Sequence, residues 1–140
     1  SLTAPYYTNS CHIPVKENPG FWATLAHQDE LQCKFTGGTV VHLFSEGAIS
    51  ATAAKNLIRK ACETYKLPYL THSPIIKLCE THGNFDAHLA KCPICGSTGK
   101  TLQRITGYIR EVSNYNPGKL EEFRDRKQNR TEALENFDLD

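Results

Sequence analysis

The chain has 140 residues, a net charge of +1 and a mean hydropathy of −0.46, with 39% apolar residues. This length suits one compact domain, and no apolar run approaches the 18 residues of a membrane span. The lysines and arginines are spread along the chain and give no support for a nucleic-acid surface. The chain contains no methionine, and therefore none at its first position.

Strands and helices are predicted to alternate through the first part of the chain. Residues 1–17 are expected to be extended. Asn18 and Pro19 predict a helix start, with proline at the first helical position. The β-branched and aromatic residues of 39–44 then predict a buried strand.

The second helix has the clearest pattern. Ser50 is suited to cap it, and the helix is expected to end before Pro68. Its apolar residues recur with helical spacing at Ala54, Leu57, Ile58, Ala61, Cys62 and Tyr65. Residues 68–78 predict strand material broken at Pro74. The strand–helix–strand order indicates an α/β fold.

Two short ligand pairs follow, Cys79-Glu-Thr-His82 and, after nine residues, Cys92-Pro-Ile-Cys95. Two pairs of soft or borderline ligands are typical of structural zinc sites, so we predict a Cys3His zinc. His88 is an alternative to His82, although Cys79 and His82 form the better pair. A shell of four protein ligands leaves no position open for water, so the metal is expected to be structural. Chance clustering is the other explanation.

The three remaining cysteines are an odd number, which fits no complete disulfide framework. Together with the lack of a secretory segment, this indicates a reducing, cytoplasmic compartment. Cys33 and Cys62 are expected to be buried. Cys11 precedes His12, which can favour a thiolate, so a redox or active-site role for Cys11 stays open beside burial.

Glycines follow both ligand pairs and mark a later turn. Gly83 and Gly96 lie where tight turns need conformational freedom. Gly107 lies in Arg104-Ile-Thr-Gly-Tyr108, after a predicted short strand at 101–105. The simplest explanation of Gly107 is a strand-to-turn junction, where glycine supplies a positive φ or permits close backbone approach.

The C-terminal part is rich in charged residues. Residues 119–127 predict a short surface helix anchored by Phe123, with a solvated charged face. Residues 129–140 are expected to be a tail that frays over Asn136–Asp140.

The order Arg-x-x-Gly-Tyr, a spacer, Asn116-Pro-Gly-Lys119 and a charged helix resembles the radical loop of anaerobic (class III) ribonucleoside-triphosphate reductases. The ligand pairs, the Tyr6–Ser10 segment and Thr36-Gly-Gly-Thr39 are similar to further segments of that family. The resemblance therefore runs from Tyr6 to about Arg126. It implies that Gly107 is the radical site. The unpaired electron would lie on its α-carbon and be shared with the flanking amide nitrogen and carbonyl.

The same resemblance implies an oxygen-sensitive oxidoreductase that converts ribonucleoside triphosphates to 2′-deoxy products. A separate radical-SAM activating enzyme with a [4Fe–4S] cluster would remove a hydrogen atom from Gly107. The cysteine that forms the thiyl radical is expected outside this chain. With the absence of an initiating methionine, the resemblance therefore implies a C-terminal fragment, an excised domain or a separately encoded part of a larger enzyme, inactive alone. The expected reductant is formate or a thioredoxin-like protein, the expected assembly is a homodimer, and neither nucleic acid nor membrane is an expected partner.

Four regions follow from the resemblance. Residues 1–78 would be the closing βα part of a ten-stranded barrel, 79–99 a zinc-binding knuckle, 100–128 the glycyl radical loop with a short helix, and 129–140 a tail. The zinc would brace the loop, since a segment this small buries little apolar surface.

Two positions depart from the family pattern. His82 stands where many members have a fourth cysteine, which zinc tolerates. Thr106 stands where several members have a cysteine, so the loop lacks that thiol but keeps its glycine. Two other functions stay open: a stand-alone glycyl-radical spare part that docks on an oxygen-damaged enzyme, and a non-catalytic zinc-knuckle interaction module in which Gly107 is only a turn.

Overall fold

The computed structural model describes residues 4–9 and 11–135, which form two small sheets flanked by helices. The helices are α1 (Phe21–Gln32), α2 (Ala51–Thr64), α3 (Pro117–Asp125) and α4 (Glu132–Glu135). The strands are β1 (Val41–Ser45), β2 (Leu70–Pro74), β3 (Ile76–Cys79), β4 (Gly83–Phe85), β5 (Lys100–Arg104) and β6 (Ile109–Glu111). A 3-10 turn at Val112–Asn114 precedes α3. Within these ranges no helix has the length and apolarity that crossing a membrane requires.

The first sheet pairs β1 and β2 in parallel, and α2 makes the connection between them. This confirms the predicted strand–helix–strand order, because parallel neighbours need such a crossover. Ser50 caps α2 as expected, since its Oγ accepts a hydrogen bond from the amide of Ala53 at 3.1 Å. The predicted break is also present: β2 ends at Pro74 and β3 begins at Ile76.

The hydrophobic core lies where the helices pack on β1. Its members come from α1, β1, α2 and α4 and bury nearly all of their side-chain surface. They are Phe21, Leu25, Val41, Leu43, Ala53, Leu57, Ala61 and Leu134. This core holds the parallel sheet and leaves the second sheet outside it.

The second sheet is antiparallel, with the strand order β4-β3-β5-β6. Ile76 pairs with Leu102 and Leu78 pairs with Lys100. The end of β3 therefore lies beside the start of β5, and the end of β5 lies at the opposite edge of the sheet. Along β5, roughly 13 Å therefore separate the end of the sheet beside Cys79 from the turn that contains Gly107.

Helix α1 begins at Phe21, so the prediction that Pro19 is its first residue is wrong. Gly20 is the N-cap residue with φ of 93°. The side-chain oxygen of Asn18 accepts a hydrogen bond from the amide of Gly20 at 2.9 Å. This local turn, which asparagine commonly forms, delays the helix by two residues.

Cys33 and Cys62 are both exposed, which contradicts the prediction that they are core residues. The buried face of α2 runs through Ala53, Leu57 and Ala61, at i, i+4 and i+8. The apolar stripe in the sequence covers more of the helix surface than this buried face does, so Cys62 lies beside the buried face and is exposed to solvent. Cys33 caps the end of α1, where its thiol lies 3.2 Å from a carboxylate oxygen of Asp29.

The predicted tail is wrong for residues 129–135. Asn129 donates its side-chain amide to the carbonyl of Phe44 at 2.8 Å, and Leu134 is only 2% exposed in the core. Glu135 accepts hydrogen bonds from both the amide and the hydroxyl of Ser50. These contacts are with residues far away in the sequence, so local charge patterning does not reveal them. The segment Asn136–Asp140 lies outside the described residues.

Because the parallel sheet contains two partly buried histidines, His42 and His72, we expect the protein to lose stability in mild acid. Burial first, and then the positive charges of His12, Arg104 and Arg126, lower the pKa of His42 from 6.5 to about 4. Between these values the unfolded chain binds a proton that the folded chain does not, so stability falls as the pH drops from about 6.5 towards 4. Burial lowers the pKa of His72 as well, which adds in the same direction.

The test is to measure the midpoint of urea unfolding at several pH values from 7 to 4.5, in the wild type and in His42→Gln. The glutamine has no titrating group but can still bond to the Thr71 hydroxyl, which lies 2.7 Å from His42 Nδ1. We expect a shallower decline in the variant. Parallel declines would contradict the assignment.

Candidate metal centre and glycine turn

The four predicted metal ligands come together at the start of the antiparallel sheet. Cys79 is the last residue of β3 and His82 lies in the turn to β4. Cys92 and Cys95 lie in a second turn, closed by a hydrogen bond from the amide of Gly96 to the carbonyl of Cys92 at 2.8 Å. Gly83 and Gly96 have φ of 79° and 73°, a conformation that L side chains rarely adopt, so the predicted role of both glycines is confirmed.

The ligand atoms have the spacing of a tetrahedral site. Cys79 Sγ lies 3.6 Å from Cys95 Sγ and 3.6 Å from His82 Nδ1, and Cys92 Sγ lies 3.7 Å from His82 Nδ1. Around one Zn²⁺, ordinary bond lengths give separations of about 3.8 Å between sulfurs and about 3.6 Å between sulfur and nitrogen. A disulfide would need about 2 Å. All four ligand atoms lie within 4.8 Å of one another, so this cluster can hold a metal ion.

The thiols of the cluster are disposed to lose their protons. The Ser97 hydroxyl, 3.4 Å from Cys79 Sγ, and then the backbone amides of His82 and Thr81 lower the pKa of Cys79 to about 5. The same hydroxyl lies 3.3 Å from Cys95 Sγ and lowers the pKa of that thiol also. Metals bind the thiolate form of cysteine, so the hydroxyl of Ser97 favours the form of Cys79 and Cys95 that binds a metal and orients their sulfur atoms.

Neither His88 nor Cys11 belongs to this cluster. The structure favours His82 over His88, since the four ligand atoms that converge include the ring of His82. Cys11 is half-buried beside α1, with its thiol 3.8 Å from the side-chain oxygen of Gln28. The six cysteines all lie within the described residues and are free thiols.

Gly107 lies in the turn that joins β5 to β6. Its φ is outside the left-handed range, and apart from its two chain neighbours no described residue has an atom within 4 Å of where a Cβ would lie. The expectation that glycine is needed here for a positive φ or for close approach is therefore wrong within the described part of the chain. Tyr108 and Ile109 are 54% and 48% exposed, so the turn projects from the sheet.

Arg126 holds the strand that leads into this turn. Its guanidinium donates to the carbonyl of Arg104 at 2.8 Å, to that of Ile105 at 3.3 Å and to the side-chain oxygen of Gln103 at 3.0 Å. The remaining donors bind Glu122 at 2.8 and 3.0 Å. All five N–H donors of this arginine are thus satisfied.

The ion pair between Arg126 and Glu122 is buried, with side chains 1% and 6% exposed. The prediction of a solvated charged face on the C-terminal helix is therefore wrong for Glu122 and Arg126, whereas Arg124 is exposed as expected. Phe123 is only half-buried, against Tyr115 at a ring distance of 5.9 Å, so the anchor of α3 is chiefly polar. The spacing of Glu122 and Arg126, at i and i+4, could have indicated their ion pair from the sequence. No comparable sequence pattern indicates that Ser97 contacts the thiols of the cluster.

Comparisons with known proteins give a matching family model and a solved structure of similar fold. A family model described as "Anaerobic ribonucleoside-triphosphate reductase" matches residues 2–128. No curated protein matches the chain. Among solved structures, a chain described as "Anaerobic ribonucleotide reductase" is similar with a TM-score of 0.65 and 20% identity, over 83% of this chain and 19% of that one. This likeness shows the fold, and the present chain spans about a fifth of the solved protein.

Proposed function

Because the chain belongs to the anaerobic ribonucleoside-triphosphate reductase family, we propose that it is the radical and metal region of an oxygen-sensitive enzyme. That enzyme would make 2′-deoxyribonucleoside triphosphates, with an unpaired electron stored on Gly107. Residues 1–78 would form part of a ten-stranded barrel that other parts of the enzyme complete. A separate radical-SAM activating enzyme would be the partner that generates the radical.

The observation that carries this proposal is the unexplained glycine at position 107. Its φ lies outside the left-handed range that favours glycine, and the described surroundings leave room for a side chain. A chemical reason for glycine is therefore more economical than a structural one. An α-carbon radical is stabilised when its half-filled orbital overlaps both the amide nitrogen and the carbonyl, which needs a planar centre. A Cβ would crowd that plane and hinder the approach of a sulfur.

The proposed reaction moves hydrogen atoms. The activating enzyme would take one hydrogen atom, a proton with one electron, from Cα of Gly107, which leaves the unpaired electron on that carbon. Cα would later recover a hydrogen atom from a cysteine thiol outside this chain, and that cysteine would become the thiyl radical. Exposure of the turn, seen at Tyr108 and Ile109, supports access for both partners.

The cluster of Cys79, His82, Cys92 and Cys95 would hold zinc in this proposal. Its distances suit the tetrahedral bond lengths of that ion. Four protein ligands leave no position open for substrate or water, so the metal supplies structure rather than reaction chemistry. It would fix the start of β5, while the buried ion pair of Glu122 and Arg126 fixes its end.

The test is electron paramagnetic resonance after anaerobic incubation of the protein with the activating enzyme and S-adenosylmethionine. We expect a doublet from the one remaining Cα hydrogen, and its collapse when Cα-deuterated glycine is incorporated. Gly107→Ala should abolish the signal yet fold normally, since a Cβ meets nothing there.

Gly38→Ala is the matched control, because a Cβ at that position also meets nothing within 4 Å. It should keep the signal. Survival of the doublet in Gly107→Ala would defeat the proposal. No signal in the activated wild type would instead favour the non-catalytic zinc-knuckle module.

A further inference from the structure

The side chain of Arg104 joins the glycine turn to the parallel sheet. Its Nε donates to the hydroxyl of Ser73 at 3.0 Å, and its Nη1 donates to the carbonyl oxygen of Gly107 at 3.0 Å. Ser73 belongs to β2 and is only 3% exposed. The guanidinium is therefore fixed at one end by a rigid element and presents its other end to the glycine.

The backbone of Arg104 is held as firmly as its side chain. Its carbonyl accepts from the buried Arg126 at 2.8 Å. The turn itself is closed by one backbone hydrogen bond, from the amide of Ile105 to the carbonyl of Tyr108 at 2.9 Å. Within the described residues, the contact that orients the Gly107 carbonyl thus comes from Arg104.

We propose that Arg104 is a positioning residue that fixes the peptide carbonyl of Gly107 and draws spin density from Cα onto it. This inference rests on the proposed function, since it concerns the residue that would carry the radical. No step of bond making or breaking is assigned to Arg104.

The chemistry follows from how the radical is stabilised. The half-filled orbital on Cα overlaps the carbonyl only when the peptide plane is held in line with it. A cation that donates a hydrogen bond to the carbonyl oxygen makes that carbonyl a better electron acceptor, and such charge-assisted bonds are stronger than neutral ones. Arginine suits both tasks, because its planar fork can bind the serine and the carbonyl at the same time. Lysine has a single nitrogen and cannot bridge them in this way.

The experiment compares the radical in wild type, Arg104→Gln and Arg110→Gln, activated in the same way. Arg104→Gln should place more spin on Cα, so its Cα-hydrogen doublet splitting should widen. The radical should decay about tenfold faster, the factor that corresponds to the loss of one charge-assisted hydrogen bond. The splitting does not depend on how many molecules are activated, so weaker recognition by the activating enzyme cannot mimic this result. Arg104→Lys should give partial rescue of the lifetime.

Arg110→Gln is the matched control, since Arg110 is an exposed cation on β6 near the same turn. It should leave the splitting and lifetime at wild-type values. Amide hydrogen exchange of residues 105–109 in unactivated protein gives a second measurement, and it should be faster in Arg104→Gln alone.

The outcomes separate the two proposals. A wild-type doublet with unchanged splitting and lifetime in Arg104→Gln would overturn the role of Arg104 and leave the proposed function standing. An equal change in Arg110→Gln would also overturn it, because a general charge effect would then suffice. Absence of any doublet in the wild type would remove the proposed function and this inference with it.

Discussion

Replacing Arg126 with glutamine is expected to lower the free energy of unfolding by about 3 kcal/mol, because the buried carboxylate of Glu122 loses both donors of Arg126 and keeps only its ion pair with Lys119 at 2.5 Å. The side chains of Arg126 and Glu122 are 1% and 6% exposed, so water cannot replace the lost contact. The variant also removes the donors to the carbonyls of Arg104 and Ile105. Urea unfolding followed by circular dichroism measures the effect.

Arg124→Gln provides the control, since it removes an arginine from the same helix. Arg124 is 64% exposed and pairs with Glu121 at 3.2 Å, and surface pairs of this kind contribute less than about 1 kcal/mol. A double variant, Glu122→Leu with Arg126→Met, should lose less than Arg126→Gln, because it removes both fully buried charges and leaves Lys119, whose side chain is 23% exposed, in contact with solvent. Equal losses in Arg124→Gln and Arg126→Gln would show that burial of the pair does not matter.

Removing the proposed zinc is expected to unfold the knuckle while α2 keeps its structure. Between residues 80 and 100, Cys92 is the one buried residue, so this segment has no apolar core. Structural zinc contributes about 10–16 kcal/mol of apparent binding free energy in small zinc-finger peptides, which shows how fully such a segment can depend on its metal. Cys95→Ser should reduce the zinc content and raise amide exchange from Cys79 to Lys100.

Cys62→Ser is the control for this second prediction, because Cys62 is exposed and lies outside the cluster. It should keep one zinc per chain, measured by elemental analysis, and wild-type amide exchange. Full zinc content in Cys95→Ser would contradict the ligand assignment. Loss of exchange protection in α2 to the same extent as in the knuckle would contradict a local structural role.

The two ends of β5 have different supports, so the loss of zinc and the loss of Arg126 should affect different parts of the protein. The metal cluster lies beside the start of β5, and Arg126 binds at its end. The sequence suggested that zinc braces the glycine turn. In the folded protein, the nearer support is the pair of arginines, Arg104 and Arg126, whose partners lie on β2 and α3.

The sequence alone determined the features that depend on neighbours along the chain. The Ser50 cap, the break after Pro74 and the two ligand pairs are short-range patterns, and all are present in the fold. Their geometry is set by turns of three or four residues, so no distant contact is needed to predict them.

Only the tertiary structure decided which side chains are buried and which groups meet across the fold. Cys62 is exposed although it lies on an apolar stripe, and Glu122 is buried although it lies in a charged helix. The openness around Gly107 and the contact of its carbonyl with Arg104 likewise depend on how β5 is placed against β2. Burial is a property of packing between distant elements, and residue type predicts it only on average.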